Sequence, residues 1–588
     1  MSARLVIPNA GGSAGCRATP LLATDGQPTG LMPIACLHRP LSNPARLGTT
    51  SHSNLVEYAQ LMGQHRHFIV IVARCLLLAL AIGAWPPQDA RSQGTTSLAD
   101  WDPTWPLSSE FAGTFEGDIP ANLPAYTIDV ELDAAASTLR GELEVVFTNH
   151  TGIPLSELPF RLYPNAEYYG EGGLSVSGLA VDGKLAQPRL SVTGTVMTAP
   201  LGKLLALNQK ITIQMAFETI VPVDSSGSFG IFSHDAGRDT WVLADWYPII
   251  AGWDPDNGWE LDPPTRWGDP TFAEASIYDV RVSVPAAMSV VSTGATTGLA
   301  EGETIDSVEI ATGPVREFAM VLDDGFQVSE AAADGTIVRL HADEETNASG
   351  ADGVLQRAVD AVDAFAGRYG AYPYDELDIV QTELAAALGV SWSGVIFMDA
   401  AGMSAALAQP DAITDQFLFT LVHEIGHQWW GGLIGGNSND HAFMNESLTN
   451  YLTVVAFEEM YGEDASQSLL QRSVAGPYLA QLTESGDGVV NVPIQDATNI
   501  LSYSRLVYGK GGLGFLAFRL EIGDEAFFRA LRSYTEMYAF ELAGPEDLLA
   551  VFEHAANQSL GELWQFWFDA SHTTAEDVDE LLAAAASR

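Results

Sequence analysis

Between about residues 105 and 310, apolar and polar residues alternate along the chain. YTIDVELDA (126–134), TLRGELEVVFTNH (138–150), KITIQMAFETIVP (210–222) and ASIYDVRVSVP (275–285) each send every second side chain to one face, and Gly, Asn and Asp clusters separate them. A period of two with such breaks predicts antiparallel strands, one face packed and the other wet. After about residue 312 the period lengthens. VLQRAVDAVDAFAGRY (354–369), DQFLFTLVHEIGHQWW (415–430), ESLTNYLTVVAFEEMYG (446–462) and segments beyond 505 repeat apolar residues at three and four, which predicts helices, with a short strand region near 376–398. No fixed-length repeat and no low-complexity tract interrupts either part.

Ahead of both parts, HRHFIVIVARCLLLALAIGAW (65–85) sets basic residues before an apolar run, and PPQDARSQGTTS follows it. That build predicts a signal peptide or an uncleaved signal anchor over residues 62–90, with Arg74 inside the run favouring cleavage over a stable span. Residues 1–61 read as a disordered or mistakenly assigned extension, because a start at Met62 supplies the short lead that a signal needs, and 91–104 read as a linker. The expected organisation is a β domain over 105–312 and a largely helical domain over 313–588, exported as a secreted, periplasmic or cell-surface protein.

Composition narrows the partners. Among 588 residues, 75 acids against 27 bases give a formal charge of −48, which argues against nucleic acid and anionic membrane surfaces. Membrane contact is expected only through the N-terminal segment, and no feature specifies an oligomeric state. Cys16, Cys36 and Cys75 all precede the folded parts, which excludes a disulfide framework or a cysteine zinc site there. Trp241, Trp246, Trp253, Trp259 and Trp267 crowd one stretch, a density that suits a domain interface, with the lining of a groove as the alternative. DPDNG (254–258) lacks the distal glutamate of a calcium loop and reads as a turn.

Chemistry concentrates in HEIGHQWWGGLIGGNSNDHAFMNE, residues 423–446. On a helix, His423 and His427 lie one turn apart on one face and can reach the same metal ion. Glu424 sits beside that face, where it can touch a metal-bound water without ligating the metal. A zinc hydrolase needs three protein ligands and one open position, and Glu446, 19 residues after His427, supplies the third ligand. The intervening GGLIGGNSND ends one helix and lets the chain return with Glu446 in the first turn of the next. Leu421, Val422 and Ile425 give the histidines an apolar setting, in which two unpaired imidazoles would be costly. Leu433 stands where a metzincin carries its third histidine, which excludes that variant.

HEIGHQWWGG with its distal Asn-Glu pair resembles the aminopeptidase-N-type gluzincins, zinc peptidases with the pattern HExxHQWxG and a glutamate separated from the second histidine by 18 residues. YSRLVYGKGGLGFLAFR (503–519) resembles the family's Tyr-x-Lys-Gly segment, LGELWQFWFD (560–569) the close of its catalytic domain, and TNHTGIPLSELPFRLYPNA (148–166) its saddle-shaped N-terminal sheet domain. The resemblance covers about residues 105–588 and implies an α+β protein: an N-terminal antiparallel β saddle or sandwich, then a thermolysin-like, mostly helical catalytic domain. It further implies one Zn2+ per chain, a peptide substrate, Glu424 as general base and Tyr508 as the phenol that stabilises the oxyanion. Lys510 is either a charge near the site or a snorkelling surface group. The large C-terminal helical domain of longer members is not expected.

One departure bears on activity. Family aminopeptidases bind the substrate's α-amino group with the glutamate of Gly-Ala-Met-Glu-Asn on an edge strand, and the matching stretch here, LGVSWSGVIFMD (388–399), puts Ser391 at that place. Losing the carboxylate weakens the grip on an ammonium, and Asp239 or Asp245 is a candidate replacement. A milder departure is Ser447, where the family has glycine. Three readings stay open: an exported zinc aminopeptidase acting on short peptides, a zinc endopeptidase or other acyl hydrolase of the same fold, and a metal-bearing binding or scaffold protein without turnover.

Overall fold

The structure, a computed structural model, describes residues 107–587 except 256, 269–270, 334, 344–349, 410–414 and 498. The segments expected to form an extension, a signal and a linker therefore lie outside the described residues. Among those described, no helix is long and apolar enough to cross a membrane.

The alternating segments form an eight-stranded sheet ordered Ala295–Ala300, Ile305–Ala311, Ile277–Pro285, Ala125–Asp133, Thr138–Thr148, Lys210–Ile220, Gly173–Val181 and Lys184–Leu185. Antiparallel pairs dominate, and the parallel contact of Ala125–Asp133 with Ile277–Pro285 closes the middle. In Ala125–Asp133, the side chains of Tyr126, Ile128, Val130 and Leu132 point inward and are buried, whereas Asp129 and Glu131 face water. The period of two thus becomes a sheet with one wet face. Two four-stranded sheets, with Thr240–Leu243 in one and Leu155–Arg161 in the other, complete the β part. Trp241 and Trp246 are fully buried in that core, while Trp253 and Trp259 pair across a small hairpin whose turn is closed by Asn257 N donating to Asp254 Oδ1 at 2.8 Å.

β structure continues further than the periodicity suggests. Phe326–Ala333, Thr336–Asp343, Glu376–Thr382, Val395–Asp399 and Gly389–Trp392 form a five-stranded sheet in that order, with Gly389–Trp392 on one edge. Thr336–Asp343 does alternate, burying Val338, Leu340 and Ala342, but Phe326–Ala333 lies on the opposite edge and leaves most of its side chains exposed or half-buried, so it carries no clean period. The helices Ala351–Tyr369 and Asp415–Gly426 pack against this sheet, Glu446–Tyr461 packs on both of them, and Gly511–Ile522 packs on Glu446–Tyr461. Glu446–Tyr461 is buried along its first three turns, from Glu446 to Phe457, because it runs through the middle of the helical part.

Candidate metal centre and active site

Phe419, Leu421, Val422 and Ile425 drive the helix Asp415–Gly426 into the core, and the same helical phase turns His423 and His427 toward the next helix. His427 follows the helix end yet keeps its register, its N–H donating to His423 O at 3.1 Å. The return to Glu446 is not a bare loop. It holds a short helix, Ser438–His441, capped by Asn437, and a 3-10 turn, Ala442–Met444, which together deliver Glu446 to the first turn of its helix.

His423 Nε2 and His427 Nε2 lie 3.0 Å apart, and Glu446 Oε2 is 3.4 and 3.5 Å from them. Ligand atoms at zinc's usual bond lengths and tetrahedral angles sit about 3.3 Å from one another. His427 Nδ1 lies 2.8 Å from Trp430 O, a contact that places its proton on Nδ1 and leaves the Nε2 lone pair facing His423. Two lone-pair nitrogens and a carboxylate this close, all buried, fit one cation held between them. Burial alone pushes the Glu446 carboxyl up, but His427 and His423 beside it outweigh burial and hold it well below the usual carboxylate range. Two imidazoles and one carboxylate with a fourth position open are the donor set of a zinc site.

Residues 355–567 match the peptidase family M1 domain. The helical part of this chain is thus similar to the M1 peptidase domain. Aminopeptidase M1-B of Oryza sativa subsp. japonica is 28% identical over 238 residues, 40% of this chain and 27% of that protein. Aminopeptidase N of Lactobacillus delbrueckii subsp. lactis is 27% identical over 205 residues, 34% of this chain and 24% of that one. The chain thus spans about a quarter of the length of these relatives. An M1 zinc metallopeptidase from Deinococcus radiodurans has the same fold, with a TM-score of 0.56 at 16% identity over 78% of this chain and 96% of that one. A mutant of that protein, solved bound to a Tyr-Ser-Ala substrate, superposes with a TM-score of 0.55 at 17% identity, over 78% of this chain and 96% of that one.

Two other expected site residues, Glu424 and Tyr508, fall around this centre. Glu424 is 2% exposed and lies against the edge strand: a Cβ at Gly389 would stand 2.6 Å from Glu424 Cγ. Tyr508 is half-buried in a π-helical stretch, Arg505–Lys510, with its ring 6.0 Å from that of His423. Lys510 is neither at the site nor at the surface. Its fully buried Nζ donates to Asp487 Oδ2, Gly488 O and Ala570 O at 2.9, 2.8 and 2.6 Å, and burial lowers its pKa against the raising effect of Asp487.

The contacts of several supporting residues carried no signal in the sequence. Gln428 stitches the edge strand to the metal helix: its Nε2 donates to Ser391 Oγ at 2.7 Å and Trp392 O at 2.8 Å, and its Oε1 accepts from Gly394 N at 2.9 Å. Ser391 is therefore sealed, 2% exposed and hydrogen-bonded. Ser447 Oγ donates to Val507 O at 2.5 Å and Asn450 Nδ2 to Tyr508 O at 2.8 Å, so the helix that carries Glu446 also fixes the Tyr508 segment. A side chain at 511 would collide with Ser447 Oγ, which is why Ser447 works here beside Gly511. Tyr503 is buried near Glu446: burial first, then that carboxylate, raises its phenol. Of the two candidate replacement acids, Asp239 bonds His234 at 2.7 Å on an exposed turn, and buried Asp245 accepts from Thr271 Oγ1 at 2.8 Å.

Proposed function

We propose that this protein is a zinc metallopeptidase that removes residues from the free amino end of short peptides. The observation that carries the reading is the 3.0–3.5 Å triangle of His423, His427 and Glu446 with Glu424 and the edge strand beside it. The names of the aminopeptidase relatives and the tripeptide bound by the Deinococcus neighbour support the substrate class.

Bound zinc supplies Lewis acidity, which polarises the scissile carbonyl and acidifies water. The chain's own residues do the rest. The edge strand Gly389–Trp392 offers main-chain groups to an extended peptide and lays it over Glu424. Glu424 takes the proton of the attacking water and returns it to the leaving amine. Tyr508 donates a hydrogen bond to the carbonyl oxygen as it gains charge. His427 keeps its orientation through Trp430 O.

Chelator should abolish hydrolysis and added Zn2+ restore it. Glu424→Gln should retain stoichiometric zinc but lose at least ~10³-fold in kcat on a peptide pool. A variant as active as wild type would overturn the reading and favour a scaffold. The sealed hydroxyl of Ser391 favours a second reading, endopeptidase or other acyl-hydrolase activity; N-acetylated peptides cut as fast as free ones would establish it. Export is also proposed, on the basic and apolar run at residues 65–85, and the mass of the mature N-terminus tests it.

A further inference from the structure

Acting at a free amino end means telling an ammonium from an internal amide nitrogen, and inside a protein that takes a carboxylate. Ser391 carries none and is already occupied by Gln428. Asp245 is spoken for by Thr271, and Asp239 sits with His234 on an exposed turn. We propose that Glu317 binds the terminal ammonium of the substrate, an inference that rests on the aminopeptidase reading above.

Glu317 follows Arg316 in the connection between the strands Ile305–Ala311 and Met320–Asp323 and is 3% exposed. It lines a cavity whose walls include Ser391 of the edge strand, the metal-site residue His427, and Asn445, the neighbour of Glu446. The cavity therefore adjoins both the strand along which a peptide is laid and the metal centre. A substrate whose first carbonyl reaches that centre carries its amino group on the same residue, so the group that binds it must stand beside the centre. Glu317 is the one carboxylate among the residues lining the cavity.

A cation lines it too, and its commitments decide which charge the cavity serves. Arg316 spends Nε on Gly432 O at 3.0 Å and Nη2 on Leu433 O and Glu541 O at 2.9 and 2.6 Å. Its guanidinium lies against Gly435, where a Cβ would stand 2.7 Å from Cζ. Arg316 is thus held by main-chain carbonyls as a clamp on the turn after the metal helix, with Nη1 as its one nitrogen lacking a hydrogen bond. Glu317 supplies the negative charge that matches a free amino terminus, and Thr271 and Ser393 add hydroxyls to the same wall.

The test uses zinc-loaded protein and two tripeptide pools, one with free amino ends and one N-acetylated, read by mass spectrometry. Glu317→Gln should lower kcat/KM on the free pool about 100-fold, chiefly through KM, and leave the rate on the acetylated pool, zinc content and Tm unchanged. Glu317→Asp, which keeps the charge, should recover at least a tenth of the wild-type rate on the free pool and serves as the informative variant if Glu317→Gln fails to fold. An unchanged free-pool rate, an equal fall on both pools, or a Glu317→Asp variant no better than Glu317→Gln overturns the proposal. So does tighter binding in Glu317→Gln, which would mean that the cavity takes an acid on Arg316 Nη1. Wild-type protein that cuts neither pool would instead sink the peptidase reading itself.

Discussion

Glu424, the proposed general base, is 2% exposed and tightly packed. Gly389 faces it across the edge strand, and a methyl group there would lie 2.6 Å from Glu424 Cγ and 2.9 Å from Thr420 Cγ2, closer than side chains approach without shifting. Gly389→Ala should push the carboxylate aside and lower kcat by about 10–100-fold, since a displacement near 1 Å costs that much in a positioned group. Zinc content should stay stoichiometric, because no metal ligand is touched. Unchanged kcat would show that Glu424 has room to spare. At this scale the sequence was most informative about the residues that meet the metal: a one-turn spacing on an apolar helix and a third ligand at the next helix onset leave few alternatives for His423, His427 and Glu446. It marked Gln428 only as part of a motif and Ser447 only as a departure from one, and it was silent on Glu317, since nothing in the local pattern around them specifies the distant strand or wall that each one meets.

At the scale of elements, long segments with one clean period were legible and irregular ones were not. The helix Ala351–Tyr369 repeats buried residues at three and four over 19 positions, whereas Phe326–Ala333 gains its strand conformation from pairing with Thr336–Asp343 and not from its own alternation. The π-helical stretch Arg505–Lys510 is equally hidden, because one widened turn barely disturbs an apolar period. That widened turn has a consequence: it leaves Tyr508 half-buried near His423 while Lys510, two residues on, is turned fully inside. Lys510 ties the stretch to Asp487, Gly488 and Ala570, and Asp487 also accepts from Tyr478 Oη at 2.7 Å and Thr573 N at 2.8 Å. Lys510→Met keeps the volume and strands a buried carboxylate, so unfolding free energy should fall by about 3–5 kcal/mol in denaturant titrations. A loss under about 1 kcal/mol would mean that the hydrogen bonds from Tyr478 and Thr573 suffice to satisfy Asp487.

Over the whole molecule, the dominant quantity is the formal charge of −48. Its field acts on substrates before any contact forms, drawing cationic peptides toward the groove and holding anionic ones away. Such steering depends on distance and is screened by salt: the Debye length shrinks from about 30 Å at 0.01 M to about 3 Å at 1 M. Contacts inside the groove are screened far less, so the two contributions separate on an ionic-strength series. The clean comparison holds the amino-terminal residue constant and places lysine or glutamate at the far end of a tetrapeptide, away from Glu317 and the metal centre. At low salt, kcat/KM for the lysine peptide should exceed that for the glutamate peptide by about tenfold or more, and the ratio should fall toward one as salt rises. A ratio that persists at about 1 M salt would locate the preference in a direct contact within the groove, and a ratio near one throughout would mean that the acidic surface keeps the protein soluble without selecting what it cuts.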